Sequence, residues 1–184
     1  HPAMKYAAGP RREIGIRTVF NILGPLTNPA RVQAQVTGVA HPDLGEKVVR
    51  VLDLLGCQHA LVVHGQDGLD EMTLSGQTKV WELKDGVVTT YTVSPRSVGL
   101  RKAGWEAIMG GSVEINASIL KAILNGERGP TRDVVLLNAA AALVAADKAA
   151  SLKEGVAMAA ESIESGAALK KLQGLIETSQ RLGR

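Results

Sequence analysis

One cysteine, Cys57, stands in 184 residues. That rules out a disulfide within the chain and a zinc framework built on thiolates, and it suits a reducing, cytoplasmic setting. Aromatic residues are almost as scarce: Trp81, Trp105, Tyr6, Tyr91 and Phe20. The core therefore has to be aliphatic and alanine-rich, and a surface that stacks nucleic-acid bases has little to work with. No apolar run is long and charge-free enough to cross a membrane. Residues 134–146 are apolar but fall short of the roughly 20 residues a spanning helix needs. No signal-peptide pattern is visible. Neither G-x-x-x-x-G-K-[ST] nor G-x-G-x-x-G occurs, so a Walker-type or dinucleotide site is unsupported. G-x-S-x-G is missing too, and His1, His41, His59 and His64 lack metal-ligand spacing, which leaves serine and zinc hydrolases without a basis.

The remaining composition is that of a soluble globular chain, 45% hydrophobic and 21% charged, long enough to bury a real core. Residues 1–184 read as a single domain, with no internal repeat and no low-complexity linker. The net charge of +3 suits an anionic small molecule and is too slight to imply nucleic acid. The chain opens His1-Pro2-Ala3-Met4, without an initiator methionine or a leader, so a fragment of a longer protein is expected.

Residues 1–17 carry Lys5, Arg11, Arg12 and Arg17 against one acid, Glu13. Spacing alone reads this as a solvated basic face with a short helix over Ala3–Ala8. A helix that begins near residue 18 is predicted to stop at Gly24-Pro25, which spacing alone reads as a turn, with a second turn at Asn28-Pro29. From Arg31 to Gly38 the chain alternates: Val32, Ala34, Val36 and Gly38 face one way and Arg31, Gln33, Gln35 and Thr37 the other, a half-buried strand. Residues 43–55 place Leu44, Val48, Val51, Leu52 and Leu55 on one helical face, with Gly56 as the stop. The run Ala60–Val63 is a buried strand, so residues 31–64 form a β-α-β unit with parallel strands. Asp85-Gly86 between Thr78–Leu83 and Val87–Val93 signals a hairpin. Residues 94–112 read as irregular. The rest is helical: 113–125, an apolar helix 132–147 with Asn138 near its middle, a helix capped at Ser151 and Glu154, and a last helix at 167–180. An amide inside the apolar helix needs partners, so a structural hydrogen bond is its expected role. The fold class is therefore α/β, a mixed and mostly parallel sheet with flanking helices and a hairpin.

One stretch carries candidate chemistry. His64-Gly65-Gln66-Asp67-Gly68-Leu69-Asp70-Glu71 follows the buried strand. In open α/β sheets ligands bind beyond the carboxyl ends of strands, and adjacent carboxylates there suit a hard divalent cation that also holds a phosphate. A solvated acidic turn is the plainer reading of the same residues, with Asp67 part of it. His64 has no relay partner near it in sequence and reads as structural.

Taken together, three runs resemble one family. They are His1–Met4 with Arg11-Arg12-Glu13-Ile14-Gly15-Ile16-Arg17-Thr18 and Phe20–Pro29; His64-Gly65 through Asp70-Glu71; and Leu137-Asn138-Ala139-Ala140. The chain resembles the anthranilate phosphoribosyltransferase family over nearly its whole length. The resemblance implies the C-terminal part of a nucleoside phosphorylase/phosphoribosyltransferase-like α/β domain. It implies transfer of phosphoribosyl from phosphoribosyl pyrophosphate to anthranilate in tryptophan biosynthesis, with Mg2+ as cofactor. Asp70 and Glu71 would hold the magnesium. Arg11 would meet the anthranilate carboxylate, and His1, Tyr6, Gly24 and Pro25 would line the anthranilate channel. No nucleic acid and no membrane is expected as a partner. The family's N-terminal helical domain, its usual homodimer surface and its Gly-Thr-Gly-Gly-Asp pyrophosphate loop have no counterpart in these 184 residues. The chain alone is therefore expected to be inactive, its acidic pair supplying half of a pyrophosphate cage. Two other readings stay open: a nucleoside phosphorylase-like enzyme, and a nucleic-acid-binding relative without catalytic activity.

Overall fold

The computed structural model describes Tyr6, Gly9, Glu13, Gly15 and residues 22–183. The expected helix at Ala3–Ala8, and most of the basic segment, lie outside the described residues. The elements run α1 Leu23–Leu26, β1 Ala34–Gly38, α2 Gly45–Leu54, β2 His59–Gly65, β3 Thr78–Lys84 and β4 Val87–Val93, then α3 Val113–Leu124, α4 Pro130–Ala145, α5 Leu152–Glu164 and α6 Ala167–Leu182. Tight turns at Pro95–Val98 and Trp105–Ile108 give partial order to the stretch read as irregular.

The four strands form one mixed sheet in the order β1-β2-β3-β4. β1 and β2 are parallel, with Ala34 opposite His59 and Gly38 opposite Val63. β2 with β3 and β3 with β4 are antiparallel. The hairpin thus extends the sheet of the β-α-β unit, and the parallel share within the described residues is one pair. Asp85 (φ 50°) and Gly86 (φ 78°) both take positive φ, the backbone of a type I′ turn, whose twist matches the strands it joins.

β2 is buried on both faces, which is why its sequence is a continuous apolar run. Ala60 and Val62 pack with Val48, Val49, Leu52, Trp81 and Leu83 under α2. Leu61 and Val63 pack on the other face with Met72, Leu74, Val80, Leu137, Ala141 and Val144. α4 lies between that layer and a third cluster formed by Ile123, Leu136, Ala159 and Ile163. Its burial on almost every side explains its apolar sequence.

Three local expectations are corrected. Gly24-Pro25 lies inside the single turn α1 instead of ending a helix; proline is tolerated in a first turn because its missing N–H would find no intrahelical partner there. α2 buries Val48, Val49 and Leu52, while Val51 and Leu55 are exposed. A tight turn at Pro42–Leu44 starts the helix later, which rotates the inward face onto Val49. On β1, Thr37 is buried and Ala34 exposed: the parallel register sets Thr37 beside the fully buried Val62, on the face that polarity alone assigned to solvent.

At the amino end of β2 a charge cluster surrounds the buried His59. His59 Nδ1 is 3.0 Å from Asp147 Oδ1 and Nε2 is 3.0 Å from Glu82 Oε1. Carboxylates only accept, so each ring nitrogen bonds its carboxylate only when it carries a hydrogen. Lys84 Nζ donates to the same Asp147 oxygen at 2.7 Å. That bond, helped by His59 and opposed by partial desolvation, holds the Asp147 carboxyl below its ordinary range. Burial and a hydrogen bond to Glu82 push the Tyr91 hydroxyl upward. Asp147 takes φ 51°, an uncommon backbone for a non-glycine residue, and from it ties the end of α4 to β2 and β3.

Candidate metal loop and its surroundings

The segment between β2 and β3 is folded back on itself. Gly65 N donates to Leu69 O at 2.8 Å and Gly68 N to Gly65 O at 2.9 Å, while Gln66 N reaches Gln77 O at 2.8 Å and closes the base of the loop. The Asp67 side chain turns back onto the loop. Its carboxylate accepts the hydroxyls of Thr73 and Ser75 and the Leu69 N–H. Partial burial works against the charged form, but these hydrogen bonds outweigh it and hold the Asp67 carboxyl below its ordinary range. Asp67 is therefore a staple of the loop, and its oxygens are already in use.

Asp70 and Glu71 are exposed side by side, beyond the carboxyl ends of β1 and β2. Two features fix the backbone beneath them. A Cβ built on Gly38, the last residue of β1, would collide with the Asp70 carbonyl oxygen, so the loop is seated where only glycine leaves room. On the other side, Met72 is fully buried, and its N–H donates to Asn138 Oδ1 at 2.9 Å. Asn138 Nδ2 donates in return to Met72 O, and to Val134 O within α4, each at 3.0 Å. The structural bond expected of Asn138 is thus made to this loop. His64 Nδ1 donates to Val39 O at 2.8 Å, a structural bond at the same sheet edge.

The donor set fits magnesium. Mg2+ prefers hard oxygens, keeps several waters, and is commonly held by one or two carboxylates together with substrate phosphate. Among the described residues no three His, Cys, Asp or Glu side chains gather into a larger cage.

Of the expected anthranilate-channel residues, His1 and Arg11 lie outside the described residues. Tyr6 is exposed. Gly24 and Pro25 line a cavity of about 620 Å³ along the outer edge of β1, which also takes in Asn28, Gln35 and Thr37. Gln35 Nε2 and Thr37 Oγ1 are buried without a hydrogen-bond partner among the described residues. A second cavity, about 520 Å³, lies against the loop itself between Asp67, Leu69, Gly104, Trp105 and Glu106. Sequence reasoning passed over Gly38, the Thr73–Ser75 pair and Trp105. A Gly ending a strand was the one available signal, since such a glycine often marks close backbone approach.

The family model described as "Glycosyl transferase family, a/b domain" matches residues 1–169. The chain belongs to that family. It is 56% identical to an anthranilate phosphoribosyltransferase of Dehalococcoides mccartyi over 99% of this chain and 54% of that protein. To the same-named protein of Roseiflexus castenholzii it is 58% identical, over 97% and 53%. Thus the chain spans about half the length of the curated relatives it matches. Among solved structures, anthranilate phosphoribosyltransferase of Thermus thermophilus superposes with TM-score 0.87 at 46% identity, covering 94% of this chain and 51% of that one. The Saccharomyces cerevisiae protein, solved in complex with PRPP and Mg, gives TM-score 0.89 at 30% identity, covering 98% and 52%. The sheet is mixed and helix-flanked, as expected from the sequence, but not mostly parallel: among the described residues one of its three strand pairs is parallel and two are antiparallel. Among the described residues no helix is long and apolar enough to cross a membrane.

The linkage at Asp67 has a defined sign. Its folded pKa is depressed, so its contribution is present above the unfolded carboxylate value, about 3.9, and is lost as pH falls through the folded one. Amide hydrogen exchange at Leu69 and Ser75, normalised to β3 amides, is expected to accelerate as pH drops below about 4. In Asp67→Asn the loop should exchange faster already at neutral pH, with a flatter acid response. An acid response identical in the two proteins would remove Asp67 from this role.

Proposed function

We propose that this chain carries the anthranilate-side half of an anthranilate phosphoribosyltransferase, with Mg2+ held at Asp70 and Glu71. The observation that carries the proposal is the exposed, pinned carboxylate pair at the carboxyl edge of β1 and β2, in a chain 56% identical to proteins of that name. The reaction joins the amine of anthranilate to the ribose anomeric carbon as the bond to pyrophosphate breaks. When bound, magnesium would neutralise charge on the departing pyrophosphate. Asp70 and Glu71 are the residues that would hold it. The guanidinium of Arg11 pairs as a planar fork with the anthranilate carboxylate. His1, Tyr6, Gly24 and Pro25 are the residues that would line the anthranilate channel and present the amine in line. The pyrophosphate's remaining contacts, and a homodimer surface, belong to the half of the relatives that this chain does not span, and with them full turnover.

Fluorescence titration with anthranilate tests the reading. Binding is expected to weaken at least tenfold in Arg11→Ala, about 1.4 kcal/mol or more, with the circular dichroism spectrum unchanged. Equal affinity in the two proteins would refute the role of Arg11. Binding of a nucleoside in place of anthranilate would favour a nucleoside phosphorylase-like enzyme, and a salt-dependent gel shift would favour a nucleic-acid-binding relative.

A further inference from the structure

A half-buried asparagine inside an apolar helix has to be accounted for. Asn138 is flanked along α4 by Leu136, Leu137, Ala140 and Ala141, all buried. A leucine there would suit the helix better and would desolvate no amide. What the amide supplies is a match for one peptide unit. The Met72 backbone is pulled into the core with its side chain, outside any strand, so its N–H and C=O need partners that water cannot provide. Asn138 meets both at once, accepting from the N–H and donating to the C=O. Its second amide hydrogen goes to Val134 O, which fixes both the rotamer and which end of the amide is oxygen. The Met72 nitrogen belongs to the Glu71–Met72 peptide bond. Holding that nitrogen therefore sets the plane from which Glu71 projects, one residue from the Asp70 backbone seated on Gly38.

We propose that Asn138 is a positioning residue for the acidic pair: its amide, locked onto both backbone groups of Met72, holds Asp70 and Glu71 in the arrangement that receives a divalent cation. The inference rests on the reading of that pair as metal-binding. Supports of this kind, one shell beyond the metal ligands, commonly change affinity 10- to 100-fold.

Mn2+ serves as the probe, with the free ion counted by electron paramagnetic resonance in the 184-residue chain, well below its unfolding temperature. Wild type is expected to bind weakly, at about a millimolar, as two carboxylates alone allow. Asn138→Leu should weaken this at least tenfold while the protein remains folded by circular dichroism. Asn138→Asp, nearly isosteric, keeps the acceptor for the Met72 N–H but turns a carboxylate toward the Met72 C=O; it should weaken binding as well, and it serves if the leucine variant does not fold. Full Mn2+ affinity in either folded variant overturns the proposal. The double variant Asp70→Asn/Glu71→Gln separates the two claims: Mn2+ binding that survives in it refutes the metal reading and leaves the clamp to be judged by exchange. That second readout needs no metal. Amide exchange at Met72, whose N–H Asn138 accepts, should accelerate at least tenfold relative to β3 in Asn138→Leu, and unchanged exchange there overturns the positioning role whatever the metal data say.

Discussion

Gly38→Ala is expected to unseat the acidic loop. The atom its methyl group would collide with is a backbone carbonyl oxygen, that of Asp70. No rotamer change relieves that contact, so either the end of β1 or the loop must move. Overpacking a closed site costs about 1–3 kcal/mol, and a backbone collision belongs at the top of that range. For a chain of this size the midpoint of thermal unfolding should fall by roughly 6–12 °C. The amides of Asp70, Glu71 and Met72 should shift in NMR spectra far more than those of the β3–β4 hairpin. A variant with wild-type midpoint and wild-type loop shifts would show that the seat on Gly38 is not required.

The second large effect lies at the other end of β2. His59→Gln keeps a polar side chain, but both its amide hydrogens sit on one nitrogen, so it can face Asp147 or Glu82 and not both; turned to Asp147, it leaves Glu82 with Tyr91 alone among the described residues. Leaving a partly buried group without its hydrogen-bond partner costs about 1–3 kcal/mol; Asp147 is 62% exposed but Glu82 only 19%, so about 2 kcal/mol is expected for His59→Gln. Urea titration should show a lower midpoint with unchanged slope, since the unfolded chain exposes the same surface. A midpoint within error of wild type would mean that the cluster is electrostatically idle.

The architecture was largely legible because its signals are local. Asp85-Gly86 specifies its turn from two residues, the run Ala60–Val63 needs no partner to be read as buried, and Ser151 does accept the Glu154 N–H at the start of α5. Errors arose where tertiary neighbours decide. Val49 or Val51 can each continue a helical stripe, and only the sheet underneath selects Val49. Thr37 is buried beside Val62 of β2, a neighbour its own strand pattern does not contain. In the metal loop, the carboxylates were visible but their division of labour was not. Asp67 looks in sequence like Asp70; contacts with Thr73 and Ser75 separate them. Asn138 announced a hydrogen bond through its apolar surroundings, but the partner is 66 residues away, beyond the reach of periodicity or spacing.

The loop between β2 and β3 is held by three independent ties: a strand end at Gly38, its own side chain at Asp67, and a distant helix at Asn138. The conformational freedom of Asp70 and Glu71 is thus given up when the chain folds. A ligand arriving later has only two carboxylate side chains left to order, not a backbone segment, and each residue's backbone spared that step is worth about 1–2 kcal/mol. The entropy of binding at this edge is set in advance by residues that never touch the ligand, so affinity here can be tuned without altering a single liganding atom.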